Sequence, residues 1–307
     1  MTGFRHAVPV IVRYLLAFLA MLLAYVASAM VVGDLGIEMT PEQQADAGRA
    51  LLIVAALNST VLAFLIARAR WSGIRLAGAV FLIQFGVETF MTQIETIYFN
   101  SAVQVGALQL VGIVETGAIR ALIFAPLAVL IFGRFKAPAN PAALNDTHPA
   151  GTGLGKRIMA IALLYVLVYF MFGYFVAWQW EETRVYYSGT AEIKPFLVHL
   201  GDLFLREDPL LLPFQLFRGL VWGGLTLLIV SMIDADRWVT SASAGLVFSV
   251  LIAVPLALFP NPYMPPMVIQ AHSAEVGSSM LLFGAVAGWL LHRQRPGSKE
   301  ISSGHSP

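Results

Sequence analysis

Gly73-Ile-Arg-Leu-Ala-Gly-Ala-Val-Phe-Leu-Ile-Gln-Phe-Gly-Val-Glu-Thr-Phe-Met-Thr-Gln-Ile-Glu-Thr-Ile-Tyr-Phe99 is a long apolar run that nevertheless carries Gln84, Glu88 and Glu95. A helix needs about 20 apolar residues to cross the hydrocarbon of a bilayer. A membrane-barrel strand would instead alternate apolar and polar residues over about ten positions. This run is continuous, so it reads as a transmembrane helix. Seven further stretches read alike, at roughly 9–33, 49–68, 109–133, 157–180, 210–233, 239–260 and 266–292.

The composition agrees. Of the 307 residues, 58% are hydrophobic and 12% are charged, where a soluble domain carries about 25% charge. Mean hydropathy is +0.75 and net charge is +1. These values exclude a soluble enzyme, a disordered chain and a basic nucleic-acid binder. They imply an all-α integral membrane protein of eight transmembrane helices whose first partner is the lipid bilayer. The chain has no cysteine, which removes disulfides, thiolate metal sites and thiol catalysis together.

Arg5 and Arg13 precede the most apolar part of the first span, and Ala27-Ser28-Ala29 resembles a signal-peptidase site. The run is long, however, and it has a counterpart later in the chain, so it reads as a retained span. Orientation follows from the Lys/Arg bias of the loops. The N-terminus, the 2–3, 4–5 and 6–7 loops and the C-terminus hold Arg5, Arg13, Arg68, Arg70, Arg75, Arg134, Lys136, Lys156, Arg157, Arg237, Arg293, Arg295 and Lys299. The opposite segments hold only Arg184, Lys194 and Arg206, together with acids such as Asp34, Glu38, Glu42, Asp46, Glu181 and Glu182. Both termini are therefore expected in the cytoplasm, and the protein in the inner membrane.

An internal repeat is expected. Arg68-Ala-Arg-Trp71 through Phe81 aligns with Asp234-Ala-Asp-Arg-Trp238 through Phe248, allowing a one-residue gap. Arg49 then corresponds to Arg218, Glu115-Thr-Gly117 to Glu275-Val-Gly277, and Arg134 to Arg293. Four spans per half is an even number, so the repeats would be parallel, about an axis normal to the membrane. The expected division is a first repeat over 1–135, a cytoplasmic tether rich in Pro, Ala, Asn and Gly over 136–156, a second repeat over 157–293, and a disordered cytoplasmic tail over 294–307. Within the second repeat, residues 190–208 read as an amphipathic helix lying in the outer interface. It follows an aromatic belt of Trp178, Trp180, Tyr186 and Tyr187. This segment would pack over the bundle or close a cavity.

An ionisable group at the bilayer centre costs about 2.5–3.5 kcal/mol on the insertion scale, so such groups should face inward and pair. Span 3 places Gln84, Glu88 and Glu95 four and seven residues apart, on one helical face. Span 4 carries Glu115 and Arg120, span 6 Gln215 and Arg218, and span 8 Gln270, His272 and Glu275. The repeat suggests two symmetric ion pairs, Arg49–Glu115 and Arg218–Glu275. Glu88, Glu95 and His272 break that symmetry, so function is sought there. The polar group gathers under the extracytoplasmic face, which implies a cavity open to that side. His272 and Glu275, three residues apart, share a helical face. They could relay protons, act catalytically if the protein is an enzyme, or join another carboxylate as metal ligands. The bland alternative is a hydrogen-bonded core histidine. No Gly-rich phosphate loop, HExxH or GxSxG identifies a cofactor or a reaction.

Tyr174-Phe-Val-Ala-Trp178 with Tyr186-Tyr-Ser-Gly189, Asn261-Pro-Tyr-Met-Pro265 with His272 and Glu275, and Thr92-Gln-Ile-Glu-Thr-Ile-Tyr-Phe99 resemble elements of a family of uncharacterised bacterial multispan proteins. The resemblance implies a shared pattern that includes Glu95, His272 and Glu275, and no activity. Glu181-Glu182-Thr-Arg184 is similar to the double-Glu element of CAAX-type intramembrane proteases, but its arginine spacing differs and it falls in an outer loop.

The leading functional expectation is proton- or ion-coupled transport of a small or amphiphilic solute by alternating access. Glu88, Glu115, His272 and Glu275 would be protonatable, Glu95 would line the path, and Arg120 and Arg218 would serve as counter-ions or an anion clasp. An intramembrane enzyme acting on lipid or peptide, and a non-catalytic partner or sensor subunit, are the alternatives.

Overall fold

In hydrocarbon no water satisfies backbone N–H and C=O groups, so each apolar run must close its hydrogen bonds within itself as a helix. The structure, a computed structural model, describes residues 2–36, 39–136 and 153–292. Most of the expected tether (136–156), the whole expected tail (294–307), Arg293 and Glu38 lie outside the described residues. Among those described, eight helical stretches are long and apolar enough to span a membrane, which makes this a multi-pass membrane protein. They are α1 (Thr2–Val32), α2 (Pro41–Ala67), α3 (Gly73–Phe85) continued by a π-helical turn at Gly86–Phe90 into α4 (Met91–Tyr98), α6 (Ala107–Ile131), α7 (Leu154–Phe175), α10 (Leu211–Met232), α11 (Arg237–Leu258) and α12 (Pro266–Leu291). Short helices α5 (Asn100–Val103), α8 (Glu181–Ser188) and α9 (Phe196–Asp202) lie between spans at one end. A second π-helical turn, Leu203–Glu207, prolongs α9.

Local chemistry sets the helix starts. Thr40 caps α2 in a capping box with Gln43, followed by Pro41 in the first turn, and the Asp236 carboxylate accepts from the Val239 amide to begin α11. Both devices satisfy amides that have no partner inside the helix.

Close contacts between spans occur where side chains are small, as expected where association rests on van der Waals packing. Gly245, Gly284 and Gly288 form the seam between α11 and α12. A Cβ on Gly284 would stand 2.7 Å from the Ala244 carbonyl oxygen, and one on Gly288 3.1 Å from the Ser241 Cα. Gly219 brings α10 equally close to Ala162 of α7, at 2.7 Å. The first half has no matching seam at Gly78, which has open space around it. Around this core, apolar side chains such as Ile11, Leu15, Leu19 and Leu23 of α1 point outward, as a surface solvated by lipid requires.

At the end opposite α8 and α9, the α2–α3 and α10–α11 turns meet in an antiparallel bridge between Ala69 and Ile233. The Arg70 amide donates to the Met232 carbonyl at 2.8 Å, and the Asp234 amide donates to the Arg68 carbonyl at 2.7 Å. Arg134 reaches back to the Ala67 carbonyl at 2.9 Å.

Because Gly284 meets backbone rather than a movable side-chain tip, Gly284→Val should lower the melting temperature of the purified protein by several degrees, consistent with about 1–3 kcal/mol of overpacking strain. Gly78→Val should leave it within a degree or two. A scanning-fluorimetry comparison in one detergent checks both.

Candidate functional site

Span 3 departs from a regular helix at the residues that matter. Its π-helical turn encloses Glu88. One extra residue per turn rotates everything beyond it by roughly a quarter turn. Glu88 and Glu95, expected on one face, are thereby aimed at different partners. Glu88 faces α1 and α6. Its Oε1 accepts from the Tyr25 hydroxyl at 2.6 Å and from Asn58 Nδ2 at 3.2 Å. It also pairs with Arg120 at 3.2 Å, with side-chain exposures of only 4% for Glu88 and 12% for Arg120. The Arg120 guanidinium lies 4.4 Å from the centre of the Tyr25 ring.

Glu95 faces α10, where Arg218 chelates both carboxylate oxygens, at 2.7 and 2.6 Å. Arg218 also donates to Gln215 Oε1 at 3.0 Å. Such a bidentate pair is geometrically specific and strong for a hydrogen bond. Arg218 is 5% exposed and Glu95 32% exposed, so the pair stands at the rim of an opening.

That opening is a cavity of about 510 Å³ between span 3 and spans 5–8, within the size range of small-molecule sites. Its wall is mostly aromatic and apolar, with Phe99, Tyr165, Tyr169, Trp178, Trp222 and Leu251 among the lining residues. The charged and imidazole groups in it are Glu88, Glu95, His199, Glu207, Arg218, His272 and Glu275. His272 and Glu275 do share a face, with Nδ1 and Oε2 3.3 Å apart. The other ring nitrogen, Nε2, lies 2.7 Å from the Tyr187 hydroxyl of α8. Tyr187, His272 and Glu275 thus form one hydrogen-bonded line. Burial pushes the Tyr187 phenol well above its ordinary value, so it remains protonated at neutral pH. With neutral His272, the phenol donates to Nε2 and Nδ1–H donates to Glu275. With protonated His272, both ring nitrogens donate and the phenol oxygen accepts.

The segment from Trp178 to Asp208 closes over this cavity. Residues 190–195 are not helical, so the amphipathic helix starts later than expected, at Phe196. Arg184 is buried and holds the loop in shape, donating through Nε to the Ala191 carbonyl at 2.8 Å and through Nη1 to the Trp178 carbonyl at 2.7 Å. Tyr186 ties α8 to the bundle through the Tyr263 carbonyl at 2.9 Å, and the Lys194 ammonium clasps Asp202 at 2.8 Å. Each charge of that clasp favours the other: the hydrogen bond holds Lys194 above and Asp202 below its ordinary pKa. Tyr187, His199, Leu200, Leu203 and Glu207 of this segment line the cavity.

Several expectations need correction. Glu115 is exposed on α6 and makes no ion pair among the described residues, because its position falls on the side of α6 away from the cavity. Arg49 pairs with Asp46 one turn away, not with Glu115. Arg218 takes Glu95 rather than Glu275, which is held by His272. Both expected symmetric pairs are therefore absent. Arg120 belongs to the Glu88 group and does not line the cavity. With their acids on them, neither Arg120 nor Arg218 is a free anion clasp. Among the described residues no group of three or more His, Asp and Glu side chains is spaced to hold a metal ion, so His272 and Glu275 have no third ligand of that kind beside them. Glu181 and Glu182 are exposed. Sequence reasoning missed Tyr187, taken as an interfacial aromatic, and Tyr25. Neither has a local signal, because their partners are 85 and 63 residues away.

No protein-family model, no curated protein and no solved structure matches the chain.

Removing one partner of a buried pair strands the other charge, at a cost of about 3–5 kcal/mol. Arg218 is much the more buried, so Glu95→Ala should lower the melting temperature more than Arg218→Met, and Glu95→Leu/Arg218→Met should recover most of the loss. Equal effects of the two single changes would contradict the burial asymmetry. The covering segment should also respond to pH. Its His199 packs against Trp178 with ring centres 4.9 Å apart, and burial lowers its pKa below the ordinary 6.5. Lys194 lowers it further, whereas Glu207 and Asp202 raise it. A histidine depressed in the folded state disfavours that state once the pH falls below the unfolded value of about 6.5. Hydrogen exchange across Phe196–Glu207, corrected for intrinsic rates, should therefore be faster at about pH 5.5 than at about pH 7.5, and His199→Phe should flatten the difference.

Proposed function

We propose that the protein is an inner-membrane, proton-coupled transporter that admits a small amphiphilic solute into the cavity from the extracytoplasmic face. The observation that carries this reading is the line Tyr187–His272–Glu275 standing in the wall of a largely apolar cavity. Such a line can take up or release one proton at a fixed place by reorienting a hydroxyl, and histidine is the side chain whose ordinary pKa makes that exchange accessible near neutral pH. Apolar walls accept the body of an amphiphile, and the few charges orient its polar end.

Two further features support it. The cavity lies at the acid-rich end, beneath α8 and α9. Arg68, Arg70, Arg75, Arg134 and Arg237 sit at the other end, which the positive-inside rule puts in the cytoplasm along with both termini. The Ala69–Ile233 bridge joins the α2–α3 and α10–α11 turns, which fall at corresponding places in the two halves. It supports two parallel four-helix repeats over 1–135 and 157–293, and a bundle that rocks about this hinge to exchange access.

A second reading is favoured by the same line of side chains. A carboxylate, an imidazole and a hydroxyl in series can also perform acid–base or nucleophilic chemistry, here on a lipid or peptide as an intramembrane enzyme.

The absence of cysteine makes a direct test clean. Thr96→Cys, in the cavity wall, should react with a membrane-impermeant thiol reagent from the extracytoplasmic side of intact cells, and reaction from the cytoplasmic side alone would overturn the orientation. In proteoliposomes loaded with a pH dye, a panel of amphiphilic solutes should include one that drives proton movement, lost in His272→Ala. Recovery of that solute unchanged inside the vesicles supports transport. Its recovery as a product, or a stoichiometric metal lost in His272→Ala, favours the enzyme.

A further inference from the structure

One carboxylate in the cavity lacks a permanent counter-charge. Four carboxylates reach its wall, Glu88, Glu95, Glu207 and Glu275, against one guanidinium, Arg218. Glu88 is neutralised from behind by Arg120, and Glu95 is chelated by Arg218. Glu207 stands near the Lys194 ammonium at 3.9 Å. Among the described residues Glu275 has only His272, 3.3 Å away, which balances it when protonated and leaves it unbalanced when neutral. The remaining groups facing His272 from the helices packed on α12 add no cation that is free. From α7 come the phenols of Tyr165 and Tyr169, from α8 Tyr187, from α10 Arg218 already held by Glu95, and from α11 the wall residues are apolar. An uncompensated carboxylate in a site of low polarity is strongly disfavoured, so the site with neutral His272 is one positive charge short.

The surrounding surface suits a cation that carries apolar groups. Tyr165, Tyr169, Tyr174, Trp178 and Trp222 line the same cavity, with Arg218 already lying over the Tyr165 and Tyr169 rings at 5.6 and 6.0 Å, and aromatic faces attract a cation held over them, most strongly where water is excluded. An anion meets the reverse conditions, because the one guanidinium on the wall already has both of its outer nitrogens on Glu95.

We propose that the solute of this cavity is an apolar organic cation, such as a quaternary or tertiary onium, which takes the place of the His272 proton beside Glu275. The inference rests on the transport reading above and gives it a substrate class and a coupling rule. In the exchange, the His272 imidazolium releases its proton through the Tyr187 hydroxyl to the outer side as the cation enters, and the charge of the site is unchanged. One proton leaves for each cation bound, which makes the protein an antiporter.

The test uses two ions of nearly equal shape and opposite charge, tetraphenylphosphonium and tetraphenylborate. Each is titrated onto the intact protein in phosphatidylcholine nanodiscs, with empty discs subtracted. The phosphonium should bind saturably and at least about tenfold more tightly than the borate. Its affinity should weaken as the pH falls from about 8 to about 5, approaching roughly tenfold per pH unit. Wild-type protein in weak buffer should release close to one proton per phosphonium bound in that acid range, a readout that needs no variant. Glu275→Gln should weaken phosphonium binding at least about tenfold, whereas Glu115→Gln, on the outer side of α6, should not change it. Borate binding as tightly as phosphonium overturns the cation assignment and leaves the cavity reading standing. Phosphonium binding indifferent to pH, without proton release, overturns the exchange. Saturable binding of neither ion overturns the cavity reading together with the proposal built on it.

Discussion

Glu95 and Arg218 hold each other across the gap between the third and sixth spans, with both carboxylate oxygens on one guanidinium fork. Hydrocarbon cannot hydrate either charge, so neither span can sit at its depth unless the other is there to meet it. The requirement propagates. To aim Glu95 at α10 while Glu88 aims at Arg120 and Tyr25, span 3 must gain a residue between them, and it does so through the π-helical turn at Gly86–Phe90. The turn is accommodated because its neighbours are shaped for it. Gly86 leaves room for Leu225 of α10, and Gly117 of α6 leaves room for Thr89. Two buried carboxylates on one helix are thus satisfied on two sides, and the space between span 3 and spans 5–8 stays open as a cavity.

The cavity is asymmetric in its chemistry. Glu88 reaches the cavity wall but is paired from behind by Arg120 and Tyr25, which do not line it, and so ties span 3 to the first and fourth spans. The Glu95–Arg218 pair, His272 and Glu275 face the open space, and the segment from Trp178 to Asp208 covers them. Tyr187 belongs to the cover yet completes the line of hydrogen bonds that starts at Glu275. Lifting the cover would break that line, so on the transport reading proposed above one contact would link access to the cavity with the protonation of His272. A proton-coupled device needs such a link between an opening motion and a titrating group.

Much of the architecture was legible in the residues. The eight spans and the amphipathic character of the cover follow from apolar run length and helical spacing, which are local signals, but the start of α2 at Pro41, set by the Thr40 cap, lies eight residues before the expected 49 because the first two turns of α2 are polar. The short list of polar residues at membrane depth was legible too, because a charge there is conspicuous against its neighbours. The partners were not. The expected Arg49–Glu115 and Arg218–Glu275 pairs came from symmetry, but α6 turns Glu115 outward and Asp46 captures Arg49 within its own helix. The shared face expected for Glu88 and Glu95 assumed 3.6 residues per turn throughout, which the π-helical turn breaks. Tyr187 looked like any interfacial aromatic, since nothing near it in sequence marks it as a ligand of His272.

By itself, the sequence determined that this chain crosses a membrane eight times and that a few titratable groups are carried to membrane depth. Both follow from the free energy of transferring side chains into hydrocarbon, a property of each residue and its near neighbours. The tertiary structure decided which of those groups meet and which stand against lipid: Glu95 with Arg218, Glu88 with Arg120, His272 between Tyr187 and Glu275, and Glu115 with no ion-pair partner among the described residues. The physical reason is that pairing depends on helix rotation and on distances between residues far apart in the chain. One added residue in a single turn changes both, and it leaves the apolar pattern that identifies the span intact.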